Sequence, residues 1–395
     1  KFKNNGLDDL SQIPTKMTIT GPAPSTNIVY ECETVVKSIP SSARNNERVN
    51  GFADFFTPPA EGTYTAVVEV NLPYDKVASN NTATTSFIVV SALSGQYTIG
   101  TANIGQVNNF ATISNALDAL FLRGVSGPVT FELTDAVYNV GTKTNEENPA
   151  FDLSSKILGV SGTNTIKFVP SQARAVNRAG VTINMHTGSG IGLFIAQNTN
   201  PANDMATVSF VKDSQKKKYA NTLGNITFDG GSQKAIKFTL DTDSPFRAAI
   251  YLGLGASDNA IKNCIIDGGD NATYLHSLPG LYKNVQGGFS YQADKRSELV
   301  TYTAGIVMRS VAPSNKDDIN DLNLDTIPNT NNVIDNNEIT GFAYGVVSMG
   351  QGYLKRSQIN GYHEYYNRGN AVTNNRIYNI GTAGIFMRSE ERRVG

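Results

Sequence analysis

Tryptophan is absent from this chain, cysteine occurs only at Cys32 and Cys264, and histidine only at His186, His276 and His363. Without a Trp and without a Cys pair across its sheets, an antibody-like core is excluded. Two cysteines are too few for a disulfide framework; they fall in different expected domains, so we read both as buried free thiols. The histidines lack metal-ligand spacing. Only 17% of residues are charged and the net charge is −1, so no basic field argues for nucleic acid or an anionic membrane surface. No apolar run reaches the roughly 18 residues that a spanning helix needs. Lys1-Phe2-Lys3-Asn4-Asn5-Gly6 carries no initiating Met and no apolar leader, so a mature or internal start is expected, with any signal peptide outside this fragment. Phosphate loops, nucleophile elbows and dinucleotide fingerprints are missing as well.

What the chain does have is glycine, 36 in 395 residues, with abundant Asn and Thr, which points to an all-β protein rich in turns. Near the end, Asn332-Val333-Ile334-Asp335-Asn336-Asn337-Glu338-Ile339 recurs as Asn370-Ala371-Val372-Thr373-Asn374-Asn375-Arg376-Ile377. An earlier copy reads Asn259-Ala260-Ile261-Lys262-Asn263-Cys264-Ile265-Ile266. A second element, Ala304-Gly305-Ile306-Val307-Met308-Arg309-Ser310, returns as Ala383 to Ser389 with six of seven positions identical. Such self-similarity marks stacked rungs. The two aliphatics of each Asn-containing copy are five residues apart, which breaks strict alternation; a bend between two short strands returns both to the inside. Stacking then puts Asn263, Asn336 and Asn374 in a column, which we expect to hydrogen-bond along the stack as a ladder, with exposed turn formation as the alternative. Glu338 and Arg376 would be outward neighbours on successive rungs and form a surface ion pair.

Upstream, residues 1–92 read as short strands, the clearest being the hairpin from Gly62–Val70 to Thr82–Val90; Thr15–Thr20, Asn27–Val36 and Gly51–Phe56 are further extended candidates. Several strands in so short a stretch suit an immunoglobulin-type β-sandwich. Ser91–Gly95 reads as a linker. Ile113, Ala116, Leu117, Leu120 and Phe121 fall at helical spacing, with Asn109 or Thr112 as N-cap and Gly124 as C-cap. We read this helix as the lid on the first rung of a solenoid.

Two resemblances follow from these residues. Lys3-Asn4-Asn5-Gly6, Gly62-Thr63-Tyr64 and Ser79-Asn80-Asn81-Thr82 make residues 1–92 resemble the CARDB-type bacterial immunoglobulin-like domains, which implies a spacer or binding module of a secreted or cell-surface protein. The Asn-rich rungs, with Ser94–Gly100 and Gly124–Phe131 ahead of them, make residues 93–388 similar to right-handed parallel β-helices of the pectate-lyase-like type found in large secreted proteins of Bacteroidetes-like bacteria. That resemblance implies a single-stranded parallel β-helix behind a capping helix, and a fold that carries lyases, hydrolases, epimerases and adhesins alike. Residues 389–395 abandon the rung pattern and resemble a translated sequencing-adapter tail, so we read them as non-native and expect further rungs beyond.

Chemistry is harder to find. The Asn-Thr-Asp, Asp-Asp and Gly-His-Gly set of polygalacturonase-like members is missing, as is the Arg-x-Pro-x-x-Arg signature of pectate lyases. No catalytic set is therefore assigned; Asp267 and Asp335 remain the candidates, and Asp267 sits before Gly268 as a turn requires. Asp321, Asn323 and Asp325 could offer hard oxygen ligands to Ca²⁺, although their stretch also reads as a solvated acidic loop; no other cofactor is expected. Two insertions between rungs are aromatic: one holds Tyr282 and Tyr291, the other Tyr353, Tyr362, Tyr365 and Tyr366. Tyr joins a flat apolar face to a hydroxyl, which suits stacking on sugar rings or a protein epitope, and equally suits packing the loops down. The reading at this level is an extracellular, non-catalytic binder of a polysaccharide, surface glycan or protein, with a polysaccharide lyase or hydrolase as the rival. Oligomeric state is not legible.

Overall fold

A computed structural model describes residues 2–42, 47–48, 50–52, 54–72, 75, 77–144, 148–155, 157–196, 206–208, 217–219, 224–244, 247–253, 255–269, 303–309, 329–349, 367 and 369–388. The chain divides into two compact units, Lys1–Ser91 and Ala92–Gly395.

In the first unit, Leu10–Thr20, Ile28–Ile39, Gly62–Val70 and Thr82–Val89 make a four-stranded antiparallel sheet. The hairpin expected from Gly62 onward is there, with Gly62 opposite Val89 and Glu69 opposite Thr82. Phe2–Lys3 and Glu47–Arg48 form a separate two-stranded ribbon. The described residues of Gly51–Phe56 contribute no strand, contrary to the alternation there. Phe56 instead sets its ring edge-on to Tyr30 and Tyr64 at 5.6 Å each. Side-chain packing outweighs pairing for so short a segment. Tyr64 is wholly buried, and its hydroxyl donates to the Ala60 carbonyl at 2.6 Å and accepts from the Ala60 N–H at 3.3 Å. A buried phenol needs such partners, and finding them four residues upstream ties down the corner that leads into the strand.

The second unit is built mainly of parallel sheets; apart from them, Ala206–Val208 and Lys217–Tyr219 form a two-stranded antiparallel ribbon. A first face stacks Leu93–Ile99, Val125–Leu133, Ile166–Pro170, Ile226–Asp229, Ala260–Lys262, Val333–Asp335 and Ala371–Thr373 in that order. A second stacks Val137–Thr142, Val181–Thr187, Ile236–Asp241 and Cys264–Asp267, then the opening parts of Glu338–Met349 and Arg376–Arg388. A third stacks Phe151–Leu153, Ile191–Ala196, Arg247–Gly253 and Thr303–Arg309, then the closing parts of those same two long strands. Each passage of the chain through the three faces adds a rung, an arrangement compatible with a β-helix. The strand Leu93–Ile99 begins inside the stretch expected as a linker; Leu93 is fully buried there and its N–H donates to Gly124 O at 2.9 Å.

The bend postulated between paired aliphatics is real. Asn263, Asn336 and Asn374 take positive φ of 54°, 53° and 55°, turning the chain from the first face to the second. Asn tolerates this left-handed region better than most residues do. The bend leaves Ile261, Ile266, Ile334 and Ile339 with no exposed surface. Along the first face one interior row runs Phe131, Phe168, Phe228, Ile261, Ile334, Val372. Its rings stack at 5.0 Å from Phe131 to Phe168 and at 4.6 Å from Phe168 to Phe228, close to the interstrand spacing.

The helix Ile113–Arg123 starts at Thr112, whose hydroxyl accepts from Asn115 N, and ends at Gly124 with φ 65°. Its buried Ile113, Ala116 and Leu120 join the same core as Leu93 and Ile99, so it packs on the first rung. The third face differs from the others. Ile191–Ala196 and Arg247–Gly253 are buried at every position, and a second apolar cluster including Phe194, Tyr251, Val307 and Val347 covers its other side. Strands buried on both faces read as continuous apolar runs, as Ala249-Ile250-Tyr251-Leu252 does. The insertions 270–302, 310–328 and 350–366 all leave from one end or the other of third-face strands.

Candidate functional site

Because the first face turns into the second through short bends, the outer side of the second face carries ordered polar rows. In Val181–Thr187 the residues Val181, Ile183, Met185 and Thr187 point inward, which leaves Thr182, Asn184 and His186 outside. The same alternation in Ile236–Asp241 puts Lys237, Thr239 and Asp241 outside. Parallel register then aligns Asn139, Asn184, Thr239, Asp267, Thr340 and Tyr378 in one row. Beside it runs a shorter row of Gly141, His186 and Asp241.

The rows are wired. Asn184 Nδ2 donates to Asn139 Oδ1 at 3.0 Å, and Thr239 Oγ1 donates to Asn184 Oδ1 at 2.7 Å. His186 Nδ1 lies 3.0 Å from Asp241 Oδ2, while Lys143 Nζ lies 2.7 Å from Asp241 Oδ1. The Lys143 ammonium, with His186 after it, holds the Asp241 carboxyl below the usual carboxylate range against the opposite push of burial. With Nδ1 turned to Asp241, His186 directs Nε2 toward Asn139 Oδ1 at 3.5 Å. At the position of Gly141, φ is 74° and a Cβ would strike His186 O at 2.4 Å, so only glycine keeps the strand close to His186.

Of the carboxylates singled out from sequence, Asp267 belongs to this face. One oxygen meets Lys237 Nζ at 2.7 Å, and the other accepts the Gly269 N–H at 2.9 Å. Asp335 ends a first-face strand, and the two therefore do not share a row. Asp335 accepts from Thr373 Oγ1 at 2.7 Å and Asn374 Nδ2 at 2.9 Å, bonds that keep its carboxyl below the ordinary range. Asp229 is pushed up by burial, but hydrogen bonds from Asn263 and Gly231 and the Lys167 charge outweigh this and leave it lowered. Tyr282, Tyr291, Tyr353, Tyr362, Tyr365 and Tyr366 lie outside the described residues, as do Asp321, Asn323 and Asp325. Among the described residues no group of three or more His, Cys, Asp or Glu could hold a metal, and no helix is long and apolar enough to cross a membrane. Cys32 and Cys264 are both free and buried, and burial pushes the Cys264 thiol far up.

Two other expectations change in detail. The outer Asn column holds from Asn263 to Asn336, where Asn336 Nδ2 donates to Asn263 Oδ1 at 2.7 Å. Asn374 breaks it by turning to Asp335, so turn formation is the property all three share. The stronger ladders are interior and went unassigned: Asn259–Asn332–Asn370, Asn337–Asn375 and Asn329–Asn367. The first of these joins the Asn that opens every repeat copy; Asn337 and Asn375 sit five places further along their copies, and Asn329 and Asn367 lie just ahead of theirs. Glu338 and Arg376 are register partners, yet Glu338 is claimed by Arg178, with two parallel bonds of 2.8 and 2.6 Å. Arg376 instead lies over the Tyr378 ring, 4.7 Å from its centroid. Bidentate geometry wins over strand adjacency.

Compared with models of protein families, with curated proteins and with solved structures, the chain matches none of them.

Proposed function

We propose that the second unit is a right-handed parallel β-helix of pectate-lyase-like type behind an immunoglobulin-like, CARDB-like domain, and that it serves outside the cell as a non-catalytic glycan binder. The observation that carries the binding role is the outer second face. Asn139, Asn184, Thr239 and Asp267 recur there at strand spacing beside His186 and Asp241. Amides present a donor and an acceptor side by side and carboxylates present two acceptors, which matches the adjacent hydroxyls of a sugar chain laid along the stack. The Tyr residues of the two aromatic insertions would add stacking contacts at the flank. For the immunoglobulin-like reading the support is Tyr64, whose hydroxyl returns to Ala60 as a tyrosine corner does.

A panel of immobilised polysaccharides and matrix proteins tests this reading. Binding should fall about tenfold or more in an Asn184→Ala, Asp241→Ala double variant, as expected for two lost polar contacts. No binding by the parent chain, or unchanged binding by that variant and by Tyr→Ala variants at Tyr282, Tyr291, Tyr353, Tyr362, Tyr365 and Tyr366, would sink it.

The rival, a polysaccharide lyase or hydrolase, is favoured by one specific observation. Asp241 orients His186 while Lys143 adds a positive charge alongside, an arrangement suited to proton transfer next to an anionic sugar. Release of unsaturated or reducing sugars that His186→Gln abolishes would establish it.

A further inference from the structure

The charges on the outer second face are spent on one another. Asp267 meets Lys237 Nζ at 2.7 Å through one oxygen and the Gly269 N–H through the other. Asp241 gives one oxygen to Lys143 Nζ at 2.7 Å and turns the other to His186 Nδ1 at 3.0 Å. Asp243 approaches the same Lys143 at 3.5 Å. In these two clusters three carboxylates face two ammonium groups, so neither leaves a positive charge for a ligand. Further along the stack Arg178 is likewise spent, both arms of its fork on Glu338.

The uncharged row between the Lys237 row and the Asp241 row is wired but not saturated. Thr239 Oγ1 donates to Asn184 Oδ1, and Asn184 Nδ2 donates to Asn139 Oδ1. An amide nitrogen carries two N–H donors and a hydroxyl oxygen two lone pairs. Asn184 therefore keeps one donor, and the Thr239 oxygen keeps its acceptors. Asn139 is exposed, and among the described residues nothing takes either N–H of its amide. Main-chain groups add nothing here, because Val181–Thr187 and Ile236–Asp241 each pair with a strand on both sides. An extended peptide would find no strand edge on this face.

We propose that the ligand of the second face is an uncharged, hydroxyl-rich glycan, gripped by the amides of Asn139 and Asn184 and the hydroxyl of Thr239. This rests on the glycan-binding reading above and narrows it. A sugar hydroxyl both donates and accepts, so neighbouring hydroxyls can take the spare amide N–H groups and reach the Thr239 oxygen. A uronate or sulfated chain would have to break the Lys143–Asp241 or Lys237–Asp267 bridge to find a cation. Otherwise its charge would lie beside those carboxylates and be repelled. Exclusion by like charge is thus built into the flanks of the row, while affinity comes from its centre.

Titration calorimetry of the full chain tests this, with neutral xylan, mannan and glucan oligosaccharides set against oligogalacturonate, alginate and hyaluronate fragments. A neutral oligosaccharide should bind about tenfold or more tighter than every acidic one, with a Kd that moves less than about twofold between low and physiological ionic strength. Asn139→Ala should weaken neutral binding about tenfold. Asp267→Asn still offers an oxygen to the Gly269 N–H but frees the Lys237 charge, and should move the ratio of acidic to neutral affinity about tenfold toward the acidic. Preference of the parent for an acidic glycan, lost as salt rises, would overturn this proposal and leave the glycan-binding reading standing. A ratio untouched by Asp267→Asn would overturn it as well. Binding of no glycan at all, or of peptides alone, would overturn both.

Discussion

Asn336 and Asn337 are neighbours with the same side chain and opposite tasks. Asn336 has φ 53° and an outward amide; Asn337 is wholly buried, accepts the Cys264 N–H at 2.9 Å and donates to Ile261 O at 2.8 Å. Asn336→Gly should therefore be nearly neutral, and Asn336→Ala should cost about 1 kcal/mol for the left-handed conformation. Asn337→Ala leaves a buried N–H and a buried carbonyl unpaired and should cost about 3 kcal/mol, read as a lower urea midpoint at unchanged slope. Glu338 sets the pH response at this scale. Its side chain is 6% exposed, and the Arg178 guanidinium holds its carboxyl below the ordinary 4.5. A depressed folded value stabilises above the unfolded one, and that contribution is lost as pH falls through the folded value. Stability of the parent should therefore drop below about pH 4.5 more steeply than that of Glu338→Gln. Arg178→Ala, which strands the buried carboxylate, should cost about 2 kcal/mol at neutral pH. Equal acid sensitivity of parent and Glu338→Gln would show that another group governs the response.

At the scale of the element, the rung explains why its glycines and rings recur. Gly345→Ala should destabilise by about 2 kcal/mol or more, since its methyl meets a backbone carbonyl that cannot retreat, whereas Gly384→Ala should lie within about 0.5 kcal/mol of the parent. Phe168, stacked between Phe131 and Phe228, should cost about 3–5 kcal/mol on truncation to Ala. Much of this element was legible beforehand. The repeat, the offset of five and the cap residues Thr112 and Gly124 each express a local constraint, and local constraints survive in sequence. The Arg178–Glu338 pair spans 160 residues and follows no period, so nothing local announces it. The two-sided burial of the third face was written in Ala249-Ile250-Tyr251-Leu252, but a short apolar run does not say what lies on its second side. Row neighbours on the second face, such as Asn184 and Thr239, became visible only once the turns between rungs set the register.

The two units differ in the size of their cores, and that difference governs how the whole chain should unfold. The first, Lys1–Ser91, has two small clusters, one built on Ile13, Val36 and Ile39 and the other on Ile19, Tyr64 and Ala66. The second carries a large apolar cluster continuous from Leu93 to Val346, with a further cluster around Phe194 and Tyr251 on its third face. A domain of some 90 residues buries a smaller share of its surface than a larger one and is correspondingly marginal. Calorimetry should therefore resolve two transitions, the first unit melting at the lower temperature. Tyr64→Phe removes only the hydroxyl, leaving the Ala60 carbonyl without the bond it now accepts, a loss of about 1–2 kcal/mol. For a domain of this size each kcal/mol moves the midpoint by about 4–8 °C, so the lower transition should shift by roughly 4–16 °C. Leu120→Ala, in the helix that packs on the first rung, should cost about 2–5 kcal/mol and move only the upper transition. If one cooperative transition moved in both variants, the units would unfold together and their cores would have to be treated as a single stability.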